Sequence, residues 1–428
     1  MADFDAIVVG SGCAGPIAAH ELAVRGKSVL VVERGTTCGA KNVSGGRLYT
    51  HSLGEVFPDF RVEAPLERRV VRERISMLAP DAGLMVEYSD QHMRHLANES
   101  YTVLRATFDP WLASKAEDAG ATYINGIAVE ALLKDGERVT GVSAGGDDIT
   151  AEVVILCDGV NSLLAGPAVG APVPDRSAVA VGIKQVIELP AKVISDRFAT
   201  GEDEGAAWLF LGDATHGHVG GGFLYTNRES ISLGLVATIS DLAEADTPIY
   251  QMLEDFKNHP AVAPVIAGGT VVEHSGHLVA EGGFDAMPAL VGDGVMLAGE
   301  SAMMCLNLGF TVRGMDLAIA AGMHAGRSAA DALEAGDTSA SGLSGYQQAL
   351  SGSFVLRDMQ TLRRFPAFME HTPRLFQVYP TLARDVMRQM FLVDGTPVRP
   401  LRKAVWPILK QAGLLGMARD VRKGVKAL

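Results

Sequence analysis

Near its start the chain carries a short glycine cluster spaced to bind a phosphate-containing cofactor. Residues 7–15 read IVVGSGCAG, and the glycines have the spacing G-x-G-x-x-G. In such a loop Gly10 allows a tight turn, Gly12 lets a pyrophosphate approach the backbone, and Gly15 lets the next helix pack against the strand. The phosphates would then lie at the N-terminus of that helix. The predicted cofactor contacts in this loop are Gly10, Ser11, Gly12, Cys13, Ala14 and Gly15.

The elements around these glycines have the order of a dinucleotide-binding unit. A buried strand is predicted over residues 4–9, followed by a helix that ends at Gly26 and a second strand over residues 28–32. Glu33 stands at the carboxyl end of the second strand, where an acid is expected to bind a ribose hydroxyl. The complete order leaves a purely structural glycine turn as a remote alternative, and it predicts contacts from Glu33 and Arg34.

Composition and charge are those of a large enzyme with a sizeable core. The 428 residues are 48% hydrophobic and carry a formal net charge of −13, enough apolar material for two or three lobes. No apolar run approaches the roughly 18 residues of a membrane-spanning helix, and no signal peptide precedes the first strand, so a cytoplasmic location is expected. The acidic balance argues against a nucleic-acid partner.

Cysteines and histidines do not form a pattern typical of a metal site. Two histidine pairs, at 216 and 218 and at 274 and 277, have no further ligands at a known spacing, so ordinary core or surface histidines are expected. The cysteines are far apart and form no C-x-x-C, which argues against a disulfide framework or a sequence-local iron–sulfur cluster. They are Cys13, Cys38, Cys157 and Cys305.

A second segment, far along the chain, indicates that the dinucleotide is a flavin. Residues 294–298 (GVMLA) read as another buried strand, followed by a glycine, an acid, a glycine turn and a long helix. This order resembles the way flavoproteins of the glutathione-reductase type hold the ribityl chain. The positive end of the helix would stabilise an anionic reduced flavin. The predicted contacts here are Gly299, Glu300, Gly309, Phe310 and Thr311.

Taken together, these segments resemble the FixC-type flavoproteins, relatives of electron-transfer-flavoprotein:quinone oxidoreductase. The resemblance spreads over most of the chain and follows the family's order. One departure is Glu300, where the family usually has aspartate. The resemblance implies FAD as cofactor, with further contacts at Ser44, Gly45, Gly46, Arg105, Val129, Asp158 and Gly159. The segments that carry it are the first glycine loop, CGAKNVSGG (38–46), VLRATFDPWL (103–112), LCDGVNS (156–162), GGGFLYTNRESISLGLV (220–236) and NLGFTVRGMDLAI (307–319).

The fold class expected is α/β, or α+β overall, with a glutathione-reductase-type FAD-binding Rossmann domain. A strand-rich inserted domain would face the substrate or quinone, and the C-terminal region would be helical. Alternation in AVAVGIKQVIEL (178–189) and SISLGLVATI (230–239) predicts a sheet with one face covered. The predicted boundaries are 1–75, 100–165 and 285–335 for the FAD domain, 76–99 and 166–284 for the strand-rich domain, and 336–428 for the helical region.

Within the strand-rich domain, a run of glycines before an aromatic residue predicts the place where a flat ring approaches the backbone. The resemblance assigns this domain to the quinone side, so the quinone-facing candidates are Gly221, Gly222 and Phe223. Glycines that serve only a bulge or a tight strand bend are a nearly equal alternative.

The last thirty residues differ in charge from the rest of the chain. Residues 399–428 contain eight Lys or Arg against the single acid Asp420, so this tail is +7 and the remainder is −20. Apolar residues recur at helical spacing from Leu401 and continue through Val421 and Val425, with Pro407 expected to divide the helix. A basic amphipathic helix of this kind predicts contact with an anionic membrane surface. Packing on the protein's own core or on a partner is an equal alternative.

The resemblance implies a FAD-dependent subunit that passes electrons from an electron-transfer flavoprotein toward quinone at the inner face of the cell membrane. It further implies a FixABCX-type bifurcating complex, with FixA- and FixB-like subunits and a ferredoxin-like FixX subunit that holds the iron–sulfur cluster. No cysteine follows Cys305 in this chain. No catalytic acid, base or nucleophile is predicted, because the flavin carries the chemistry. Two alternatives stay open: a flavin-dependent prenyl-lipid reductase or hydroxylase that uses an external reductant, and a non-catalytic flavin relay or assembly subunit.

Overall fold

The computed structural model of the chain describes residues 2–41, 46–95 and 99–428. The predicted contacts Ser44 and Gly45 lie outside these residues. Within the described ranges the strands are β1 (Phe4–Val9), β2 (Val29–Glu33), β3 (Gly46–Tyr49), β4 (Leu66–Ala79), β5 (Ala82–Tyr88), β6 (Ser100–Val103), β7 (Thr122–Asn125), β8 (Val129–Asp135), β9 (Arg138–Ala144), β10 (Asp147–Leu156), β11 (Val179–Glu188), β12 (Glu204–Gly212), β13 (Gly220–Thr226), β14 (Ser230–Thr238), β15 (Thr270–Ala280), β16 (Val291–Gly292), β17 (Val295–Leu297), β18 (Leu306–Asn307) and β19 (Val312–Arg313).

Helices surround these strands and make up most of the C-terminal region. They are α1 (Gly15–Ala23), α2 (His51–Val56), α3 (Phe60–Glu63), α4 (Arg105–Asp118), α5 (Ala165–Val169), α6 (Ala191–Phe198), α7 (Ile239–Leu242), α8 (Ile249–Asn258), α9 (Ala263–Ile266), α10 (Met315–Ala335), α11 (Gly345–Gly352), α12 (Phe354–Thr361), α13 (Phe365–Glu370), α14 (Arg374–Gln377), α15 (Tyr379–Phe391), α16 (Leu401–Ala412) and α17 (Leu414–Ala427). In the part of the chain that the structure describes, none of them has the length and apolar character required to cross a bilayer.

The first sheet is the predicted dinucleotide-binding sheet. Its strand order is β16-β17-β10-β1-β2-β7, and β1 is parallel to both β10 and β2. The strands β1 and β2 read as continuous apolar runs because a central parallel strand is buried on both faces. Helix α10 packs closely on α1, since a Cβ at Gly322 would lie only 2.2 Å from the carbonyl oxygen of Ala14. The carboxyl ends of β1, β10 and β17 therefore meet at one edge of the sheet.

The second sheet has the order β15-β11-β14-β13-β12-β4-β6-β3, with β5 paired to β4. One face buries a cluster that includes Leu224, Leu235 and Phe256 of α8. The sheet also takes strands from segments assigned by sequence to the FAD domain, namely β3 and β6. Strand β4 passes through the predicted boundary between residues 75 and 76, because its pairing with β12 continues from Arg69 to Leu78.

The tail folds as two helices, but the break is not at the proline. Helix α16 continues through Pro407. The chain breaks at Gly413, whose φ of 83° lies in the left-handed region that favours glycine. In α17 the expected apolar stripe is not the packed face: Val421 and Val425 are exposed, whereas Asp420 and Ala427 are buried. Tertiary contacts, rather than apolar spacing, therefore determine how α17 is oriented.

Candidate functional site

A cavity of about 710 Å³ is lined by the edge of the first sheet, by one face of the second sheet and by helices of the C-terminal region. Most of the predicted contacts line it. They are Gly10, Ser11, Gly12, Cys13, Ala14, Glu33, Arg34, Gly46, Arg105, Val129, Asp158, Gly159, Gly299, Glu300, Gly309 and Phe310, together with Gly221, Gly222 and Phe223. Gly15 and Thr311 are described but are not part of the lining.

The three glycines of the first loop have different geometric roles. A Cβ at Gly10, whose φ is 95°, would lie 2.5 Å from the carbonyl oxygen of Cys157, and one at Gly15 would lie 2.0 Å from that of Gly10. These two glycines are therefore required by the fold itself. At Gly12 the nearest atom is Nη2 of Arg105 at 3.5 Å, an ordinary contact. The chain leaves room at Gly12, and that room belongs to the cavity.

Glu33 connects the end of β2 to the glycine loop. Its Oε2 accepts a hydrogen bond of 2.8 Å from the backbone N–H of Ser11, and its Oε1 accepts one of 2.6 Å from the N–H of Gly35. Each carboxylate oxygen has further acceptor capacity, so these bonds fix the side chain without exhausting it. The buried carboxylate is thereby held at the cavity wall.

Arg105, at the start of α4, places a fixed cation beside Gly12. Its Nε and Nη2 donate to Oδ1 and Oδ2 of Asp109 at 2.5 and 2.7 Å, a bidentate pair. Burial opposes the charge of Arg105, but the nearby carboxylate of Asp109 raises its pKa, so the guanidinium stays protonated. A rigid cation next to an open glycine is suited to a phosphate group.

A serine connects the ends of β10 and β17. The hydroxyl of Ser301 donates to Oδ1 of Asp158 at 2.9 Å and accepts from the N–H of Gly159 at 3.0 Å. Burial raises the pKa of Asp158, while hydrogen bonds from Ser162 and Ser301 oppose that rise. Ser301 is a positioning residue that sequence reasoning missed, although it directly follows the predicted contact Glu300.

The second glycine turn lies at the tip of the short hairpin formed by β18 and β19. The N–H of Gly309 donates to Oδ1 of Asn307 at 2.9 Å, and the N–H of Leu308 donates to the carbonyl of Thr311 at 2.9 Å. The hairpin thus presents Gly309 and Phe310 to the cavity. Nearby, burial raises the pKa of the Glu300 carboxyl, an effect that His277 and Arg105 partly oppose.

The N-terminus of α10 also reaches the cavity, through Gly314 and Met315. The first turn contains a buried carboxylate, Asp316, whose Oδ2 accepts from Nε and Nη2 of Arg313 at 2.8 and 2.6 Å. Arg313 also donates to Asp358 at 2.6 Å. The partial positive charge of the helix end is therefore accompanied by an ion-paired network, which the sequence pattern alone did not indicate.

The glycines proposed to face a quinone are needed by the packing of the second sheet. A Cβ at Gly222 would lie 2.6 Å from Cζ of Phe256 in the core behind the sheet, and one at Gly221 would lie 2.5 Å from the carbonyl oxygen of Phe210. The glycines thus relieve crowding around a strand that pairs with β14 in continuous register, rather than serve the bulge that was the alternative. Both still line the cavity, together with Phe223.

Sequence reasoning missed an acidic side chain in the cavity wall. Glu281 follows β15, and its Oε1 accepts a hydrogen bond of 3.2 Å from Nδ2 of Asn307. Burial raises the pKa of Glu281 to about 7, and the charge of Glu300 adds to that rise. Only the fold brings residues 281, 300 and 307 together, so no local pattern would have identified this group.

The far end of the cavity is formed by α13 and α14 and is apolar apart from Glu370 of α13. Phe365 contacts Phe310 of the glycine turn, with ring centroids 6.0 Å apart, and Phe368 at 5.5 Å. Met369, Leu375 and Phe376 extend this wall. The sequence signal was the aromatic segment RRFPAFMEHTPRLFQVYP, which is visible as a patch but has no assigned partner before folding.

Among the described residues, no group of three or more His, Cys, Asp or Glu is placed to hold a metal ion. Cys13, Cys38, Cys157 and Cys305 are free and buried. Burial raises the pKa of Cys13 to about 12, so this thiol of the glycine loop is protonated at neutral pH. The chain's own lack of an iron–sulfur cluster stays a prediction.

Comparison with known proteins agrees with this geometry. The profile of the FAD binding domain matches residues 3–218, and that of the ETF-QO/FixC family C-terminal domain matches residues 365–428. The probable electron transfer flavoprotein-quinone oxidoreductase YdiS of Escherichia coli K12 is 50% identical over 425 residues, which cover 99% of each chain. This chain belongs to the ETF-QO/FixC family. Protein FixC of the same strain is 48% identical, again over 99% of both chains.

A solved structure shows the same fold at low identity. The geranylgeranyl bacteriochlorophyll reductase-like protein of Thermoplasma acidophilum superposes with a TM-score of 0.72 at 19% identity, covering 98% of this chain and 99% of that one. The predicted fold class, family and FAD cofactor are confirmed. The chain is an FAD-binding oxidoreductase, and the open space at Gly12 beside the Arg105 cation fits the pyrophosphate of FAD.

Proposed function

We propose that the chain holds FAD along this cavity. Gly12, the N-terminus of α1 and Arg105 would bind the pyrophosphate, and Glu33 would bind the ribose of the adenosine. The ribityl chain would lie near Glu300, and the ring near the turn at Gly309. The bound flavin supplies reversible electron transfer. The protein's part is to bind and orient the flavin and to limit its contact with water.

The function proposed is electron transfer from an electron-transfer flavoprotein through this FAD to a quinone. The observation that carries it is the continuity of the cavity with the aromatic wall of α13 and α14. A quinone ring and its apolar chain require such a surface, because apolar groups transfer favourably from water to an apolar lining. Phe365, Phe368 and Phe376 supply that lining, and Glu370 of α13 is the titratable residue beside them.

The helix that bears part of the basic tail packs directly against this wall. Gly424 of α17 approaches Phe368, since a Cβ there would lie 3.2 Å from its Cζ. Asp420 of α17 accepts hydrogen bonds from Arg374 at 2.8 Å and from Tyr379 at 2.6 Å. The outward residues of the tail include exposed apolar side chains, among them Trp406, Leu415 and Val425. These contacts support our proposal that a membrane contact lies at this surface, next to the route by which a quinone would enter.

We extend the proposal to the wider assembly that the resemblance to FixC-type proteins implies. FixA- and FixB-like subunits would supply electrons, a ferredoxin-like FixX subunit would carry the iron–sulfur cluster, and the complex would bifurcate electrons at the inner face of the membrane. The support for this is the resemblance to proteins named FixC along 99% of both chains.

The test is anaerobic reduction of the FAD-loaded chain, followed by absorbance. We expect NADH alone to leave the flavin oxidised, addition of FixA- and FixB-like subunits with NADH to reduce it, and decylubiquinone to reoxidise it. Direct reduction by NADH would contradict the proposal and favour the reductase or hydroxylase. Reoxidation only in the presence of further subunits would instead favour the relay.

A further inference from the structure

Strand β11 carries a lysine in an environment unlike that of the chain's other cations. Lys184 is fully buried, and its Nζ has no hydrogen-bond partner among the described residues. An unpaired amine in the interior is unfavourable, because the donor has given up water without a replacement. Such a group requires an explanation other than its contribution to stability.

The register of the second sheet places Lys184 on the face that covers the cavity. Ala180 and Gly182 of the same strand line the cavity, and alternate residues of a strand point to the same face. Across the neighbouring strand, Lys184 pairs with Gly234, which in turn pairs with Phe223. Lys184 itself lies next to the lining rather than in it.

Gly234 brings the lysine and the aromatic ring together. A Cβ at Gly234 would lie 2.5 Å from Cζ of Phe223 and 3.0 Å from Cβ of Lys184, so the glycine leaves space into which the ring leans. Phe223 lines the cavity. Only the Phe223 side chain therefore separates Lys184 from the part of the cavity where a flavin or quinone ring would bind. The lysine amine stands at the end of a flexible four-carbon chain.

In the described ranges of the chain, no carboxylate forms a salt bridge with this amine. Burial lowers the pKa of Lys184 to about 7; Glu273 of β15 raises it, and Arg105, across the cavity, lowers it. A neutral or positively charged amine donates a hydrogen bond in either state.

We propose that Lys184 is a ligand-contacting residue that donates a hydrogen bond to a ring carbonyl oxygen of a redox ligand bound against the second sheet. Two ligands have such an oxygen: the flavin ring, and the quinone of the proposed function, on which that part of the inference rests. The bond would supply a partner to an amine that has none among the described residues.

The test uses the full-length, FAD-loaded protein with Lys184→Met, which keeps the length of the side chain and removes the donor. Two quantities are measured: the dissociation constant of decylubiquinone, from flavin fluorescence, and the midpoint potential of the flavin. We expect at least a fivefold weakening of quinone binding if the quinone is the partner. If the flavin is the partner, the potential should shift by about 20 mV, which is fivefold in the relative affinity for its two-electron states.

Two further variants separate this role from a structural one. Lys184→Gln keeps a donor and should restore part of the change. Lys184→Leu, which also lacks a donor, replaces Lys184→Met should that variant not fold. Lys192→Met, at an exposed lysine of α6, is the matched control. Without FAD, the thermal midpoint of Lys184→Met should equal or exceed that of the parent, because no described protein contact of the amine is lost.

The proposal would be overturned if Lys184→Met weakens quinone binding less than fivefold and also shifts the flavin potential by less than about 20 mV. If the parent protein binds no quinone, the proposed function fails, and the flavin potential alone decides the role of Lys184.

Discussion

The two ends of the cavity are built in different ways. The end proposed to hold the nucleotide is mostly local backbone: Gly15 is required by the carbonyl of Gly10 and Gly10 by that of Cys157, and Glu33 accepts hydrogen bonds from main-chain N–H groups. Arg105 is the side chain that a distant segment adds there. The other end consists of side chains that come from widely separated strands and helices, such as Phe223, Glu281 and Phe365. A site made of local backbone has a compact sequence signature, whereas a site made of distant side chains has none.

The largest effect should come from a substitution that breaks only the nucleotide end. Gly12→Val should abolish FAD binding while the chain folds, because its Cβ meets no protein atom closer than 3.5 Å and occupies the space assigned to the pyrophosphate. The measurement is FAD content after purification, with circular dichroism for the fold. Gly345→Val is the control, since nothing lies within 4 Å of a Cβ there. Full FAD content in a folded Gly12→Val protein would refute the assignment.

The contrast explains how much was predictable. The strand β1, the glycine loop and the position of Glu33 were predictable because each depends on residues adjacent in sequence. The path of β4 through the expected domain boundary was not, because its pairing with β12 is decided by residues more than a hundred positions away. The same holds for Glu281 and Asn307, which meet only when β15 and the β18–β19 hairpin pack together.

The tail shows a second reason why the structure differs from what the sequence predicts. Apolar spacing in α17 correctly indicated a helix, but the buried side of that helix is centred on Asp420, whose carboxylate binds Arg374 and Tyr379. A buried hydrogen-bonded carboxylate can outweigh a few exposed apolar residues, because leaving a charge unpaired is costly. Hydrophobic periodicity does not register such a contact.

A second test at the nucleotide end weakens binding without occupying the space for FAD. Glu33→Ala removes the acceptor of the bonds from Ser11 and Gly35 as well as the proposed ribose contact. We expect FAD to bind about 1.5–3 kcal/mol more weakly, roughly 10- to 150-fold, which is the contribution of a charged hydrogen bond to the ribose. Titration of the FAD-free protein with FAD measures this. Glu33→Gln keeps one acceptor, so its affinity for FAD should lie between those of the parent and Glu33→Ala. Equal affinities for all three proteins would contradict the proposed ribose contact of Glu33.

At the other end, Glu281→Gln should reduce the dependence of stability on pH. Burial raises the pKa of Glu281 from 4.5 to about 7, so between these values the folded chain keeps a proton that the unfolded chain has released. The stabilisation is complete below about pH 4.5 and is lost as the pH rises through 7. Because the Glu281 side chain is partly exposed, we expect the free energy of unfolding to fall by about 2 kcal/mol over this pH range.

Urea unfolding of the FAD-loaded protein at pH 5 and at pH 8 measures this difference. Glu244→Gln, at an exposed glutamate, is the matched control. An unchanged pH dependence in Glu281→Gln would show that the acidic group of the cavity does not titrate as its burial indicates, and would weaken the contrast between the two ends.

The smallest effect is expected at the tail, where the apolar wall of the cavity continues toward the surface. Lys423 of α17 is exposed, and one basic residue near an anionic membrane contributes about 1 kcal/mol, which falls as salt screens the attraction. Lys423→Gln should therefore weaken binding to phosphatidylserine-containing liposomes about fivefold at low salt and leave the FAD content unchanged. Co-sedimentation at two salt concentrations measures this binding, with Lys192→Gln, on an exposed lysine of α6, as the control.

Deletion of the tail is a poorer test, because it would also remove Asp420 from Arg374 and expose the wall at Phe368. Equal liposome binding by Lys423→Gln, Lys192→Gln and the parent at both salt concentrations would mean that the charge of α17 does not attract a membrane, and that its exposed apolar residues are instead covered by a partner subunit.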